Sequence, residues 1–323
     1  MKTSLIKTAI AVALTIIVSS AHAVETRIYS DDLDRKVEIP VQAQRIVALH
    51  DVLLTVPLIE LGVMPVGSIG RLSKDGKPFI RSGMVLTGYD FENSGIDFIG
   101  TFDLDIEKVA ALKPDLIIAT PRYEKTLAQF EALAPTVVVN YNTRTPLEIF
   151  EAVADITNTQ DKLAVLERRY QSQLDGIRRI IDTKSIVVNA MMPKKGNINI
   201  RYSDFTLGKV LRDAGFRFPK AVDDLKPGGR ADFSVERLAE LDADYVFATY
   251  RTDKKHTPQM IVEEFEAVLP NFCDHLTACK NNNLIVIPRE LSLSVSYTAL
   301  GITAYTVLTH ISGNPFAAKL EKK

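Results

Sequence analysis

Two arginines recur at matched positions of an internal repeat. The segments at residues 100–125 and 229–254 align without a gap and share ten identities over 26 residues. Each copy closes on Ala-Thr-x-Arg, which places Arg122 and Arg251 at equivalent points. A guanidinium stays charged and can bind two oxygens of an anion at once. A single arginine of this kind would be interpreted as a solvated loop residue, but the matched pair favours an anion-binding site.

The elements around the repeat predict an α/β architecture in which both arginines follow strands. Residues 45–50 form a β-branched run expected to be a buried strand, and residues 51–62 should form a helix with Asp51 as N-cap and Gly62 as its stop. Further strand–helix–strand units with short connections indicate parallel-type sheets. Ligands of such sheets bind at the carboxyl ends of the strands, so both arginines should face a cleft.

A helical stretch separates the two copies of the repeat. From residue 146 to residue 182 apolar residues recur at three- and four-residue steps, which predicts one long helix or two helices joined near TNTQDK. We therefore expect two similar α/β lobes, joined by a connecting helix, with the ligand cleft between them. The expected divisions are a leader at residues 1–23, an N-terminal lobe at 24–144, the connecting helix at 145–182 and a C-terminal lobe at 183–323.

The start of the chain has the pattern of a secretory signal peptide. Two lysines precede an apolar run at residues 9–18, and Ala21-His22-Ala23 forms a small-residue cleavage site. The run is short for a bilayer span, which disfavours an uncleaved membrane anchor. No cysteine stands directly after the cleavage site, so a lipid anchor is not indicated. We expect cleavage after Ala23 and export of the mature protein.

The two cysteines predict a disulfide or a metal site, and the net charge disfavours one class of partner. Cys273 and Cys279 are the only cysteines, and their spacing allows a small disulfide loop in an exported protein. A metal site that also uses His275 is the alternative, although it lacks a fourth ligand and a Cys-x-x-Cys pair. The formal net charge is −1 and no domain is strongly basic, which argues against nucleic acid as a partner.

Four sequence stretches carry a family resemblance over nearly the whole mature chain. They are QRIVAL with IELGVMPVG, IGTFDLDIEKVAALKPDLIIAT, FEALAPTVVV and SVERLAELDADYVFAT. Together they resemble the periplasmic binding proteins that serve ABC importers of ferric siderophores, haem and cobalamin. The resemblance implies two lobes joined by a single long helix, a cleft between them and a small hinge movement. It also implies a periplasmic monomer that needs no cofactor.

The resemblance gives a role to one glutamate in each copy of the repeat. In the family, a glutamate at the start of the corresponding helix of each lobe docks on arginines of the membrane permease. Glu107 and Glu236 occupy the matching positions. The alternative is a plain helix N-terminal charge, favoured by about 0.3–1 kcal/mol through the helix dipole. Docking is the preferred interpretation because both copies keep the glutamate beside a basic residue.

The resemblance also implies that the cleft holds an anionic ferric siderophore, whose iron is wrapped by the chelator itself. Such a ligand needs fixed positive charges and polar or aromatic walls. Arg201 lies where family members often place a third basic residue. The expected ligand-binding residues are Arg122, Arg251, Arg201, Arg71, Tyr123, Tyr202, Tyr250, Tyr297 and His50. For the tyrosines and His50, packing within their own lobe is the alternative.

The alternatives to a ferric siderophore are a different ligand or a catalytic function. Haem or cobalamin would suit the same family, whereas a free metal ion would need converging ligands that the scattered histidines do not offer. The loop DDLKPGGR lacks the histidine that some catecholate binders supply to iron, and the chain has no tryptophan. Both features favour a carboxylate-rich or similarly anionic complex. No nucleophile elbow, phosphate loop or zinc-protease motif is present, so we do not expect an enzyme.

Overall fold

The computed structural model of the protein describes residues 25–202, 205–226, 229–292, 294 and 296–313. The predicted leader and its cleavage site after Ala23 lie outside the described residues. None of the helices formed by the described residues combines the length and the apolarity needed to cross a membrane.

Strands and helices alternate along most of the chain. Over the described residues the strands are β1 (Thr26–Ser30), β2 (Lys36–Pro40), β3 (Ile46–Ala48), β4 (Gly67–Ser68), β5 (Arg71–Leu72), β6 (Pro78–Phe79), β7 (Asp97–Phe98), β8 (Leu116–Ala119), β9 (Thr136–Val138), β10 (Val188–Lys194), β11 (Asn197–Arg201), β12 (Arg230–Phe233), β13 (Tyr245–Tyr250) and β14 (Leu284–Pro288).

The helices of the same residues vary from single turns to six turns. They are α1 (Val56–Glu60), α2 (Gly83–Thr87), α3 (Phe91–Ser94), α4 (Ile106–Ala111), α5 (Leu127–Glu131), α6 (Pro146–Ile156), α7 (Gln160–Ile180), α8 (Phe205–Ala214), α9 (Lys220–Asp223), α10 (Pro258–Val268), α11 (Thr277–Lys280), α12 (Arg289–Ser292) and α13 (Tyr297–Ser312). A π-helical turn lies at Asp51–Thr55, and 3₁₀ turns lie at Pro121–Thr126, Val235–Leu241, Thr252–Lys254 and Phe272–His275.

The N-terminal lobe is built on a five-stranded parallel sheet in the order β7-β4-β3-β8-β9. Its inner strands β3 and β8 are buried at every position. Runs of Ile, Val, Leu and Ala suit these strands because both faces of a parallel sheet are covered. The carboxyl ends of all five strands therefore lie along one edge, as the sequence predicts.

The C-terminal lobe has a five-stranded sheet in the order β12-β11-β10-β13-β14. β10, β13 and β14 are parallel, which confirms the predicted parallel unit, and β11 and β12 extend the sheet in the antiparallel direction. The sequence does not predict β12, which begins the second copy of the repeat. The matched part of the first copy holds an isolated bridge between Gly100 and Leu104 instead. The two copies thus differ where they begin.

The helix after β3 begins one residue earlier than the sequence predicts. His50, and not Asp51, is the N-cap, because its Nδ1 accepts a hydrogen bond from the amide of Leu53 at 3.1 Å. Asp51 instead opens the π-helical turn with a fully buried side chain. The predicted stop is confirmed at Gly62, whose left-handed backbone (φ +83°) is one that glycine adopts without strain.

Two helices lie between the sheets, with a break at the place that the sequence indicates. α6 ends at Ile156 and α7 begins at Gln160, and Asn158 between them has a left-handed backbone. α6 contacts α1 of the N-terminal lobe, whereas α7 runs beside α8 and α13 of the C-terminal lobe. The buried residues of α7 form one stripe at three- and four-residue steps, from Leu163 to Ile177.

A partly buried carboxylate joins the N-terminal lobe to the last helix. Glu60, at the end of α1, accepts hydrogen bonds from the Ser296 hydroxyl and from the amides of Tyr297 at 2.8 Å and Thr298 at 3.3 Å. Burial raises the pKa of Glu60, and the hydrogen bonds from Ser296 and Thr298 act in the opposite direction. The carboxylate therefore caps the positive end of the α13 dipole from a different lobe.

The side chain of Tyr297 fills the interior of the same junction. Its ring packs edge-on against Phe150 of α6, with 5.0 Å between ring centroids, and against Tyr170 of α7 at 6.5 Å. All three rings are buried. The two helices between the sheets and the last helix consequently share one apolar core.

The predicted disulfide between Cys273 and Cys279 is confirmed. It ties the 3₁₀ turn Phe272–His275 to α11, next to the core of the C-terminal lobe. Small covalent loops of this kind limit the freedom of the unfolded chain.

Removing the Glu60 carboxylate should destabilise the junction between the lobes. Glu60→Ala leaves two amides and a hydroxyl without their acceptor, and we expect a loss of about 2–4 kcal/mol in the free energy of unfolding. Glu60→Gln keeps one acceptor oxygen and should lose less. Urea denaturation measures both variants against Glu263→Ala, which removes an exposed carboxylate from α10. Equal stability of Glu60→Ala and Glu263→Ala would contradict this role.

Candidate ligand-binding site

A cavity of about 700 Å³ lies between the two lobes. The N-terminal lobe lines it with residues that follow β3, with the segment around β6 and α2, and with residues that follow β9. The C-terminal lobe contributes residues at the ends of β11, β13 and β14. The cavity thus forms where the carboxyl ends of the parallel strands of both sheets meet, and its volume suits a small molecule.

Positive charge from both lobes converges on this cavity. Among the described residues that line it, the arginines are Arg81, Arg144, Arg201, Arg251 and Arg289, and the acidic residues are Asp90 and Glu290. Arg251 directly follows β13, Arg289 directly follows β14, and Arg144 lies six residues beyond β9. The cavity is therefore suited to an anion with several oxygens.

The guanidinium of Arg144 is fixed in the wall by Asp32. Its Nε donates to Asp32 Oδ2 at 2.6 Å and its Nη2 donates to Oδ1 at 2.7 Å, a two-point contact. The hydrogen bonds with Asp32 raise the pKa of Arg144. The amide of Asn140 donates to the same carboxylate at 2.7 Å. This charge is thus held in place before any ligand binds.

A second buried carboxylate organises the opposite side of the N-terminal wall. Asp51 accepts a hydrogen bond from Arg71 Nε at 3.1 Å, and its other oxygen lies 3.6 Å from Arg81 Nη2. Burial lowers the pKa of His50 to about 4, so this side chain is neutral at physiological pH. Because His50 Nδ1 accepts from the Leu53 amide, the proton of the neutral ring lies on Nε2.

Two of the predicted arginines, Arg71 and Arg122, do not line the cavity and instead pack on the ring of Phe102. The guanidinium carbons of Arg71 and Arg122 each lie 4.2 Å from the centroid of this ring. The ring of His50, which does line the cavity, is 5.9 Å from Phe102. Arg71 and Arg122 therefore sit beside the cavity and contribute to its positive field rather than to its surface.

The matched arginines of the repeat have different surroundings for a structural reason. β13 runs two residues past the point where its counterpart β8 ends, so Arg251 leaves the sheet from a longer strand. Thr120 already caps a 3₁₀ turn, and Arg122 lies exposed within that turn. Of the predicted site residues, the structure brings His50, Arg201 and Arg251 together in the cavity lining.

The four predicted tyrosines lie outside the cavity lining. Tyr123 is buried and donates to the Phe102 carbonyl at 3.2 Å, and burial raises its pKa to about 12. Tyr297 belongs to the core between the lobes. The guanidinium of Arg212 covers the ring of Tyr202 at 3.9 Å, and Tyr250 packs against the core of the C-terminal lobe. Each tyrosine packs within the protein, which is the alternative that the sequence leaves open.

Several lining residues are not predicted from the sequence. Arg289 follows β14, and Tyr141 and Arg144 follow β9. Ligands bind at the carboxyl ends of parallel strands, and this rule identifies all three residues once it is extended beyond the repeat. Arg81, Met84 and Val85 belong to the segment that contains β6 and α2. No periodic pattern marks these three residues. They reach the cavity because the β5–β6 hairpin and α2 fold against the interface between the lobes.

The two glutamates predicted to dock on a permease are both exposed at helix starts. Glu107 is the second residue of α4, and its amide donates a capping hydrogen bond to Asp105 Oδ1 at 2.9 Å. Glu236 is the second residue of the 3₁₀ turn Val235–Leu241, and a hydrogen bond with Ser234 lowers its pKa. The two elements occupy equivalent places in the two copies of the repeat.

Within the part of the chain that the structure describes, no three His, Cys, Asp or Glu side chains converge in a way that could hold a metal ion.

Comparison with known proteins places these features among transport-related binding proteins. The family described as "Periplasmic binding protein" matches residues 87–291, more than half of the chain. The petrobactin-binding protein YclQ of Bacillus subtilis is 32% identical over 239 residues, 70% of this chain and 73% of that protein. The iron(3+)-hydroxamate-binding protein FhuD of the same organism is 27% identical over 241 residues, 71% of each chain.

A solved structure shares the two-lobe fold. Staphylococcus aureus SirA, crystallised in complex with staphyloferrin B, superimposes with a TM-score of 0.69 at 18% identity. The superposition covers 88% of this chain and 98% of SirA. The predicted fold class of two α/β lobes flanked by helices is thereby confirmed.

The burial of His50 should appear in the pH dependence of stability. In the unfolded chain this histidine takes up a proton near pH 6.5, whereas in the folded protein it resists protonation until about pH 4. Stability should therefore fall as the pH drops between these values, by up to about 3 kcal/mol. His50→Asn keeps a good N-cap and should flatten this acid-induced loss.

The measurement is urea denaturation at pH 7.5 and pH 4.5. His310→Asn serves as the control, because that side chain is exposed on α13. If the parent and His50→Asn lose the same stability between the two pH values, His50 does not make the predicted contribution.

Proposed function

The chain belongs to the periplasmic binding protein family, and on that premise we propose that it captures an anionic ferric siderophore and delivers it to an ABC permease for iron uptake. The predicted leader would be cleaved after Ala23 and would direct the mature protein to the periplasm. The protein would act there as a monomeric binding component without catalytic activity and without a resident cofactor.

The convergence of arginines on the cavity between the lobes is the observation that carries this proposal. Arg201, Arg251 and Arg289 come from the C-terminal lobe, and Arg81 and Arg144 come from the N-terminal lobe. An anion bound between them would contact both lobes at once and would favour their closed arrangement. A siderophore satisfies the coordination of its own iron, so the protein needs to recognise only the outside of the complex.

The relatives support a ferric complex as the cargo. They include proteins named for iron(3+)-hydroxamate and petrobactin, and SirA was crystallised with staphyloferrin B. Within this class, the arginines of the cavity favour a complex whose surface carries carboxylates or comparable anionic oxygens. A guanidinium fits such oxygens in two-point contacts, whereas a neutral complex offers no anionic oxygen for contacts of this kind.

Each lobe is proposed to have two roles, which are to bind the ligand and to contact the permease. We propose lobes at residues 24–144 and 183–323, with residues 145–182 connecting them. Glu107 and Glu236 lie exposed, one per lobe, and are proposed to contact basic residues of the two permease subunits. Exposed carboxylates would steer this encounter through long-range attraction.

Charge reversal in the cavity should weaken ligand binding strongly. Arg201→Glu and Arg251→Glu each place a carboxylate against the bound anion, and we expect a loss of roughly 2–5 kcal/mol in binding free energy. Arg122→Glu should lose less, because Arg122 does not line the cavity. Since the chain has no tryptophan, quenching of tyrosine fluorescence can report the titration of citrate-type, catecholate and hydroxamate ferric complexes.

Arg168→Glu is the matched control, because it reverses an exposed charge on α7 outside the cavity. Affinities of Arg201→Glu and Arg251→Glu that equal the affinity of this control would place the ligand elsewhere. Sub-micromolar binding to none of the three classes of complex would defeat the proposed function.

Reversing the charge of both exposed glutamates should reduce iron uptake without changing ligand affinity. Glu107→Arg combined with Glu236→Arg should reduce iron uptake by cells that depend on this protein, since it would repel a basic permease surface. Ligand affinity should stay at the parental value, because neither residue lines the cavity. Glu263→Arg, an exposed reversal on α10, controls for surface charge. Parental uptake by the double variant would refute the docking role.

A further inference from the structure

The two walls of the cavity differ in chemical character. On the side of the N-terminal lobe the lining is mainly apolar and includes Val52, Phe79, Met84, Val85 and Tyr141. On the other side, Phe205 is the large apolar side chain that the described part of the C-terminal lobe adds to three arginines, Thr252 and Glu290. A ligand that carried only charged oxygens would pair with the arginines and leave these apolar side chains without a complementary surface.

Three large apolar side chains at the cavity are exposed to solvent. Met84 is 51% exposed, Val85 is 59% exposed and Phe205 is 41% exposed, and all three lie at this cavity. Single exposed apolar residues are ordinary on a protein surface, whereas a group gathered at a cavity is typical of a binding surface. Methionine adds a flexible, polarisable surface that adapts to irregular apolar ligands.

The segment that presents Met84 and Val85 is firmly held from behind. Ile80 and Leu86 on its inner side are buried in a cluster with Leu291 of the C-terminal lobe. The amide of Ile80 donates to Asp90 Oδ1 at 2.7 Å. Ser82 has a left-handed backbone (φ 64°), which is costly for a residue other than glycine and persists where the surroundings impose it. The outward position of Met84 and Val85 is thus part of the fold.

We infer that the ligand has two parts: an anionic ferric chelate held by the arginines of the C-terminal lobe, and an alkyl or acyl chain that lies on the wall formed by Met84, Val85 and Phe79. This inference rests on the proposed function and specifies the class of siderophore. Burying the chain would remove apolar surface of both partners from water, which adds affinity without adding charge. The cavity would therefore discriminate between chelates with the same iron-binding group.

The experiment compares two ferric complexes with the same hydroxycarboxylate chelating group, one bare and one carrying a dodecanoyl arm. Tyrosine fluorescence quenching gives the dissociation constant of each. We expect the acylated complex to bind at least tenfold more tightly, since burial of about two methylene groups already gives that factor. Dodecanoate alone is titrated as a third ligand.

A pair of variants localises the effect. Met84→Ser combined with Val85→Ser should bring the ratio of the two affinities at least fivefold closer to one, because the chain would lose its apolar surface. Val165→Ser changes a comparably exposed apolar residue on α7 and should keep the parental ratio. Thermal unfolding followed by circular dichroism establishes that each variant is folded.

The outcomes separate the inference from the proposed function. Equal affinity of the parent for the bare and acylated complexes would overturn the inference and leave ferric siderophore capture standing. An unchanged ratio in the folded Met84→Ser, Val85→Ser variant would also overturn it. Binding of dodecanoate alone as tightly as the acylated complex would overturn the inferred two-part ligand, and failure of both ferric complexes to bind would overturn the carboxylate-rich chelate that the proposed function favours.

Discussion

Glu60 binds the first turn of α13 across the boundary between the lobes, and the shape of the cavity depends on that contact. Next to it, Leu291 and Ala299 of the C-terminal lobe pack with Ile59 of α1 and its neighbours in one apolar cluster. Arg289 and Glu290, which line the cavity, immediately precede Leu291, so this cluster anchors the segment that carries them. A buried carboxylate is costly to desolvate, and here three hydrogen-bond donors at a helix N-terminus offset that cost.

This fixed arrangement allows positive charges to face each other. Arginines gathered in one cavity repel one another, and the repulsion would open the cleft if the lobes were free to separate. The protein moderates it with carboxylates placed behind the lining: Asp32 holds Arg144, and Asp51 lies between Arg71 and Arg81. Since neither carboxylate lines the cavity, the surface offered to a ligand stays positive. The charges are positioned by their partners, so little reorganisation is needed when an anion binds.

The sequence predicts the periodic parts of this molecule well and its irregular parts poorly. Two lobes, the break between α6 and α7, the disulfide and the strand end at Arg251 all follow from periodicity, spacing and an internal repeat. The surroundings of Arg122 depend on where β8 ends, and the N-cap at residue 50 depends on which side chain accepts from the first amides of the helix. A sequence pattern contains neither detail. The wall at Phe79 and Met84 arises from a segment without periodicity, so only its packing against Leu291 reveals it.

The internal repeat therefore reproduces a framework and not a binding surface. Both copies set an exposed glutamate at a helix start and a buried strand behind it, because the sheet in each lobe needs the same helix packed on the same strand. The residues beyond the strands are under no such constraint. β13 extends and carries Arg251 into the cavity, whereas β8 stops and leaves Arg122 over Phe102. Two lobes with the same framework can thus present two different walls to a single ligand, one with arginines among many apolar residues and one in which arginines predominate.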